Sequence, residues 1–541
     1  MTSAPTDTSR PRAPYLRLER GADGTRVEGV PSAHLGHRLR GAGRENEGVF
    51  AEWRWDGERL LVRNDRYGMF PLYYWADGDR IALATSPADL PALGAPTGLD
   101  HDALSVFVRL GFYLGEDTCF AAVRALPPAA TLTWSAGVLR LESNRSVPAP
   151  ATHMTRREAV DGLIELFRAA VARRLPAEPY VLPLSGGRDS RHLLLELERQ
   201  GAAPRLCVSG SKFPPDTGAD APVAAELAGR LGIPHTTLDR PRSEFHAELV
   251  ANRAQGMSSV EGAWALPVLD HLRRHTRVTY DGLGGDALIR PAPALSFVRA
   301  ASFDATDLPG EAGRLLLAGR TGPHADHLLS PALGRLWSRD RARRRLATEL
   351  ARHTGAAFPT GSFFFWNRTR RAVAMTPYRL IPGGPLIHAP YLDHDLFDHL
   401  ASVPERLLTD GGLHDEALRQ AFPRHASLRF AGDGPRASAA GTLRHRAAYL
   451  RGLLGHALYA EPGWWRGGDR MLLRLLAGGR GRSGPQRVSR LMPLTLYLLQ
   501  LESLTTGLSA GSPTRRPAQD RAGAGAPRTG SSRTDASRIG R

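Results

Sequence analysis

Lysine is almost missing from this 541-residue chain: Lys212 is the single one, so arginine supplies all the rest of the 71 basic side chains. A reaction that needs a lysine amine therefore has one candidate, because arginine, with a pKa of about 12.5 or higher, is a poor proton carrier. Cysteine is nearly as scarce. Cys119 and Cys207 are the only two, too few for a disulfide framework and without metal-ligand spacing, and both sit in apolar stretches that predict buried thiols. Long apolar runs are missing as well. Nothing approaches the roughly 20 residues that cross a bilayer, and residues 1–14 are Thr, Ser, Pro and Arg where a signal peptide is apolar. The expectation is a cytoplasmic protein with no membrane partner.

What is present is unevenly spread. The length predicts two domains plus extensions, and a hydrophobic content of 42% fits a globular protein. Of the net charge of +17, residues 436–541 hold 18 arginines against five carboxylates, which leaves the rest of the chain close to balance. Within this basic part, 511–541 has almost no large apolar residue and predicts a disordered tail. Residues 436–510 predict a basic helical extension, with Leu450, Leu453, Leu454 and Leu458 at helical spacing. Such charge suits an acidic partner, a nucleic acid or a leader peptide; the simpler reading is a solubilising tail. Trp464-Trp465 beside Arg466 are expected to anchor the extension to the core.

The densest chemistry lies in Leu182-Pro183-Leu184-Ser185-Gly186-Gly187-Arg188-Asp189-Ser190, an apolar strand entering a glycine-rich turn that opens a helix. Adjacent glycines let consecutive N–H groups point at phosphate oxygens, and the helix adds its positive end. Ser185 and Ser190 supply hydroxyl donors. Asp189 is out of place beside an anion unless a divalent cation lies between them, which makes it the first magnesium ligand. A plain capped turn is the competing reading, and the context weighs against it. Strand Pro179–Ser185, helix Arg188–Gln200 closed by Gly201, strand Arg205–Ser209, helix Asp220–Leu231 closed by Gly232 and strand His235–Leu238 read as βαβαβ. That alternation predicts a parallel sheet with ligands at the carboxyl ends of its strands. A later strand, Arg277–Tyr280, ends in Asp281-Gly282-Leu283-Gly284-Gly285-Asp286. Two such turns at one sheet edge would pair Asp189 with Asp286 around one metal.

Upstream, Glu47–Asp56, the block Asp65-Arg66-Tyr67-Gly68-Met69-Phe70-Pro71-Leu72-Tyr73-Tyr74 and Ile81–Ser86 read as strands joined by turns. Together with Ser185–Ser190, Asp281–Asp286 and His388-Ala389-Pro390-Tyr391-Leu392-Asp393, these blocks resemble the glutamine-dependent asparagine synthetase superfamily over roughly 47–423. The resemblance implies α+β and α/β parts. The first is a shortened, degenerate Ntn-type αββα glutaminase-like domain (15–150). The second is a doubly wound parallel-sheet ATP-pyrophosphatase domain of the adenine nucleotide α-hydrolase-like kind (155–435). Flanking them are a disordered N-terminus (1–14), the extension and the tail. It implies ATP and Mg2+ as cofactors: Leu184, Ser185, Gly186, Gly187, Asp189, Ser190, Gly284 and Gly285 around the pyrophosphate, Val208 and Ser209 near the adenine, and Asp189 with Asp286 on the metal. In that family a substrate carboxylate attacks the α-phosphorus of ATP, and a nitrogen nucleophile then forms the amide.

Three departures shape the functional expectation. The family's glutaminase uses a cysteine directly after the initiator methionine, where this chain has Thr2, so glutamine hydrolysis is not expected. The family's lysine ahead of a helix has no counterpart in Leu413–Pro423, leaving His414 or Arg419 to supply positive charge there, and Lys212, which follows Ser209-Gly210-Ser211 at a strand end, as the one lysine that could approach the phosphates. Leu283 and Ala287 stand where asparagine synthetases carry carboxylates. The expected function is an ATP- and magnesium-dependent amide-bond-forming ligase acting on a small-molecule or peptide carboxylate, as in β-lactam synthetase and the lasso-peptide cyclases. Asparagine synthesis proper, an ATP-binding pseudoenzyme and a tRNA-linked adenylating protein are the alternatives, and the near-neutral core weighs against nucleic acid.

Overall fold

The computed structural model of the protein describes residues 13–39, 41, 44, 46–214, 220–290, 304–319, 321–380, 383–431, 439–459, 474–476 and 484–511. The expected tails, Trp464-Trp465 and the loop residues 215–219 and 291–303 lie outside the described residues.

The first part is built from β1 (Tyr15–Gly21), β2 (Gly24–Gly29), β3 (Ser32–Arg38), β4 (Gly48–Trp55), β5 (Arg59–Asn64), β6 (Tyr73–Asp77), β7 (Arg80–Ala84), α1 (His101–Leu110), β8 (Arg124–Ala125), β9 (Ala130–Ser135) and β10 (Val138–Ser143). They form two five-stranded antiparallel sheets, ordered β2-β1-β7-β6-β8 and β10-β9-β5-β4-β3. Alternation sends Leu16, Leu18, Trp53, Leu60, Val62, Leu83, Leu132 and Trp134 into one shared core, each burial contributing roughly 1.5–3 kcal/mol. Asp100 caps α1 by accepting from the Ala103 N–H. Phe107 and Leu104 of that helix cluster with Tyr73, Trp75 and Ala84, so α1 is the helical layer beside the first sheet. Across the second sheet, Arg54 and Arg63 are exposed.

The second part follows the expected alternation, with ends shifted by one or two residues. It runs α2 (Arg156–Ala172), β11 (Val181–Pro183), α3 (Arg188–Arg199), β12 (Leu206–Gly210), α4 (Asp220–Arg230), β13 (His235–Leu238), α5 (Glu244–Ala254), α6 (Leu266–His275) and β14 (Val278–Tyr280). It continues through α7 (Gly285–Ile289), α8 (Leu308–Ala318), α9 (Ala325–Leu328), α10 (Pro331–Leu336), α11 (Arg339–Leu350), α12 (Pro359–Phe364) and α13 (Met375–Arg379) to β15 (Leu386–His388), α14 (His394–Ser402) and α15 (Leu413–Ala421). β11, β12 and β13 pair in parallel, as do β14 and β15. Thr279 joins the two groups, its hydroxyl donating to the Val181 carbonyl at 2.7 Å. The three-stranded sheet and the two-stranded sheet thus lie with β11 beside β14, and the chain order changes direction between those two strands. That is the switch point where open α/β sheets bind ligands.

The two parts are locked by buried polar groups. Asp65, fully buried, accepts from the N–H groups of Tyr67 at 2.9 Å and Phe50 at 3.1 Å, which fixes the turn that pushes Tyr67 and Met69 into the core of the second part. In return Arg370, on a π-helical stretch Phe365–Val373, donates to the Leu126 carbonyl at 2.7 Å. Two C-terminal helices, α16 (Ala439–Tyr459) and α17 (Gly484–Gly511), complete the fold. They are embedded: Leu453, Leu491 and Tyr497 share a core with Phe107, and the hydroxyls of Tyr497 and Tyr113 bond at 2.6 Å. Among the described residues no helix is long and apolar enough to cross a membrane.

Candidate active site

β11 ends at the switch point, and its chain continues as the Ser-Gly-Gly loop. The Leu184 N–H donates to the Val208 carbonyl at 2.8 Å, and the Leu184 carbonyl accepts from the Ser209 hydroxyl at 2.6 Å. These bonds use the backbone of Leu184 and the carbonyl of Val208 to hold the loop to β12. Ser209 is buried and also contacts His235 Nε2 at 2.8 Å.

Beyond Leu184 the loop donors turn toward exchangeable partners. The Ser185 N–H donates to Ser190 Oγ at 3.1 Å, the Gly187 N–H to Ser185 Oγ at 3.2 Å, and the two hydroxyls lie 2.9 Å apart. The Gly186 N–H donates to Asp220 Oδ1 at 3.1 Å. Asp220 also pairs with Lys212, so the single lysine reaches the loop through a carboxylate. Gly186 has no room for a side chain, since a Cβ would overlap Ala431 and come within 3.2 Å of Asp220 and Val223.

The second glycine turn lies directly against the first. A Cβ on Gly282 would sit 2.6 Å from the Asp189 Cβ, and one on Gly285 2.6 Å from Asp189 Oδ1. Gly284, at φ +99°, turns the chain into α7 with Leu392 close by. The Asp286 N–H faces the Asp189 carboxylate, while the Asp286 residue is exposed. Burial first, then the Asp286 charge, pushes the Asp189 pKa well above the carboxylate range, and burial pushes Asp281 up to about 6. Leu283 is buried in the core and Ala287 is nearly so. The two departures in this turn are therefore packing positions.

His414 lies beneath Asp189. It is fully buried, with Nδ1 3.5 Å from Asp189 Oδ1 and Nε2 3.2 Å from both His192 Nδ1 and the Tyr391 hydroxyl. Burial is the main cause that lowers its pKa to about 3, so the imidazole is neutral. In the same helix Asp415 pairs with Arg188 of the loop, Nη2 to Oδ2 at 2.8 Å. Arg188 and Arg191 both stand 4.1 Å from the ring centroid of Phe430. The segment without the family lysine thus clamps the loop with a carboxylate.

The carboxylates suit a divalent cation. Asp189 Oδ1 is buried without a hydrogen-bond partner, and among the described residues only neutral His414 lies within ion-pair distance of Asp189. Among the described residues no group of three or more His, Cys, Asp or Glu could hold a metal. Asp189 and Asp286 would have to share a Mg2+ with phosphate and water oxygens, which is how that ion is usually held.

The structure brings together Ser185, Gly186, Gly187, Asp189, Ser190 and the turn ending at Asp286, as the sequence predicts. Asp220, His192 and the Arg188–Asp415 clamp join them without being expected from sequence. In sequence Asp220 marks the start of a helix, and its place eight residues after the lone lysine is the signal for its further role.

Two families match. Residues 40–144 match the glutamine amidotransferase domain, and residues 162–382 match asparagine synthase. No curated protein matches the chain significantly. Among solved structures, "the allosteric regulatory enzyme of purine biosynthesis" is similar at 11% identity, with 41% of this chain and 62% of that one covered and a TM-score of 0.15. Glutamine phosphoribosylpyrophosphate amidotransferase from B. subtilis, complexed with ADP and GMP, is similar at 13% identity, with 50% and 59% covered and a TM-score of 0.15. The chain spans about three fifths of those two structures' length, and at such scores they bear on nothing further.

Proposed function

Because the chain belongs to the asparagine synthetase family, we propose that it is an ATP- and magnesium-dependent ligase that activates a substrate carboxylate and passes it to an amine or ammonia. The observation that carries this is the contact between the two glycine turns at the switch point. It sets the Ser-Gly-Gly loop against two carboxylates, with a buried, unpartnered oxygen on one of them. Ser185, Gly186, Gly187 and Ser190 would bind the pyrophosphate part of ATP, and Asp189 and Asp286 would hold the metal. When bound, Mg2+ would offset the negative charge that grows on pyrophosphate as it leaves. The carboxylate oxygen forms a bond to the α-phosphorus while the bond to the departing pyrophosphate breaks; the nitrogen nucleophile then displaces AMP and loses its proton. Lys212 is the cation for the phosphates. His414 is too deeply buried to touch substrate and acts by positioning Asp189.

We read the first domain as inactive toward glutamine. Burial pushes both thiols of this sequence, Cys119 and Cys207, up to about 12, far from the thiolate a glutaminase needs. Nitrogen would then come from ammonia or from an amine on the substrate. The second case points to specialised peptide or natural-product synthesis.

The test is ATP–pyrophosphate exchange with magnesium across aspartate, glutamate and a panel of carboxylate-bearing peptides, each with ammonium or glutamine. Exchange with a larger carboxylate and no stimulation by glutamine is the expected result. Exchange with aspartate would establish asparagine synthesis instead, and ATP binding without exchange on any substrate would leave a pseudoenzyme.

A further inference from the structure

The Gly186 N–H already faces a full negative charge supplied by the chain itself. Asp220, the first residue of α4, accepts from it through Oδ1 at 3.1 Å, and Asp220 Oδ2 pairs with the Lys212 ammonium. The neighbouring donors differ: the Ser185 and Gly187 N–H groups are answered by the hydroxyls of Ser190 and Ser185. One N–H carries one hydrogen, so a phosphate oxygen arriving there must replace the carboxylate, and two anions close together repel.

Lys212 is held in place for such an exchange. Its ammonium lies 5.9 Å from the Trp264 ring centroid, Arg240 donates to its carbonyl at 3.3 Å, and the adjacent Phe213 stacks on His445 of α16 at 5.5 Å. A C-terminal helix thereby braces the segment carrying the only lysine.

Resting on the ATP reading above, we propose that Asp220 is an internal counter-anion of the phosphate loop. Its carboxylate occupies the Gly186 N–H until the nucleotide phosphates displace it, and the Lys212 ammonium then moves from Asp220 to the incoming anion. After reaction the carboxylate returns to Gly186 and helps to expel pyrophosphate. No covalent bond changes; one charge-assisted hydrogen bond is exchanged for another. The cost of displacing Asp220 weakens ground-state binding, and the recovery of that contact speeds product release.

The test is isothermal titration of the full chain with magnesium pyrophosphate and with ATP, comparing wild type, Asp220→Asn, Asp220→Ala and Lys212→Ala, each checked for a native circular dichroism spectrum. Losing the competing charge should tighten pyrophosphate binding about tenfold in Asp220→Asn, the size of one charge-assisted hydrogen bond. Lys212→Ala should weaken it by a similar factor. Trp264 emission should change on pyrophosphate addition in wild type and not in Lys212→Ala, because the ammonium leaves the ring. A clasp that merely ties α4 to the loop predicts the opposite, and pyrophosphate affinity that is unchanged or weaker in Asp220→Asn overturns the exchange alone. Should wild type and all variants bind neither ATP nor pyrophosphate, the ATP reading falls and the exchange falls with it.

Discussion

His414 Nδ1 stands 3.5 Å from Asp189 Oδ1, and neither atom has a hydrogen-bond partner. The far side of the ring is fully engaged by His192 and Tyr391, so the imidazole is fixed in orientation and shortens its contact to Asp189 only if the carboxylate settles toward it. Groups behind a metal-binding carboxylate commonly change metal affinity about 10- to 100-fold. His414→Ala should therefore raise the magnesium concentration needed for half-maximal exchange by about tenfold, with a smaller loss of kcat, and Tyr391→Phe should do the same more weakly. A magnesium titration of pyrophosphate exchange decides it. A residue that only fills space would lower the thermal midpoint without moving the magnesium midpoint.

Asp189 and Asp286 carry opposite consequences for stability and activity. Asp189 lies beside Asp286, and burial first, then that neighbour's charge, push its pKa well up. Removing its charge relieves that strain on the folded state. Asp189→Asn should abolish pyrophosphate release while raising the metal-free melting temperature by roughly 2–4 °C for each kcal/mol recovered. Asp286→Asn, at an exposed residue, should abolish release with no more than a small rise. Calorimetry in chelator, alongside the exchange assay, separates the two effects; full turnover in either variant would remove the metal assignment.

The parts of the site that were legible in advance are those written locally. Two glycines after an apolar strand, and the alternation from Val181 to Leu238, specify a glycine-rich turn at the end of a parallel strand whatever surrounds it. Asp281–Asp286 was recognisable on the same grounds. What escaped has partners far along the chain: Arg188 meets Asp415 across 227 positions, and His192 meets His414 across 222. A helical period tells which face of a segment is apolar and not what covers it. That is why the leucines at 450–458 predicted a helix correctly but gave no hint that α16 and α17 share a core with Phe107 and Tyr113. The same limit applies to Leu283: in sequence it is a missing carboxylate, and in the structure it is a core residue.

Arg370 is a buried cation at the junction of the two parts. It is almost fully buried and donates to the carbonyls of Leu126 at 2.7 Å, Gly115 at 3.3 Å and Gly68 at 3.4 Å. Arg370→Met would keep much of the volume and leave the Leu126 and Gly68 carbonyls without this donor, while the Gly115 carbonyl keeps the one from Arg371 Nη1. Each unsatisfied buried acceptor costs about 1–3 kcal/mol, so a total loss on the order of 2–4 kcal/mol is expected after partial relaxation. Chemical denaturation should show a lower midpoint, and a separate early transition for the amino-terminal sheets would identify the junction as the part that fails first. An unchanged midpoint would mean the Leu126 and Gly68 carbonyls are otherwise satisfied.

His37 of β3 and His388 of β15 meet across the same junction, Nε2 to Nδ1 at 3.2 Å, with ring centroids 4.8 Å apart. Burial is the first cause that lowers their pKa values, to about 4 and about 3, and Arg174 nearby adds to it for both. Both values lie below that of an exposed histidine, about 6.5, so between roughly pH 4 and 6.5 the unfolded chain binds protons that the folded protein refuses. Stability must then rise with pH across that window and fall as the solution is acidified. For His37 alone the loss at pH 5 relative to pH 8 is on the order of 2 kcal/mol. His37→Asn and His388→Asn should flatten the melting-temperature profile between pH 5 and 7 and leave the plateau above pH 7.5 lowered only by lost packing. A slope identical to wild type in both variants would place the acid sensitivity elsewhere, with half-buried His394, lowered to about 4 by desolvation first and then by Arg66, as the next group to replace.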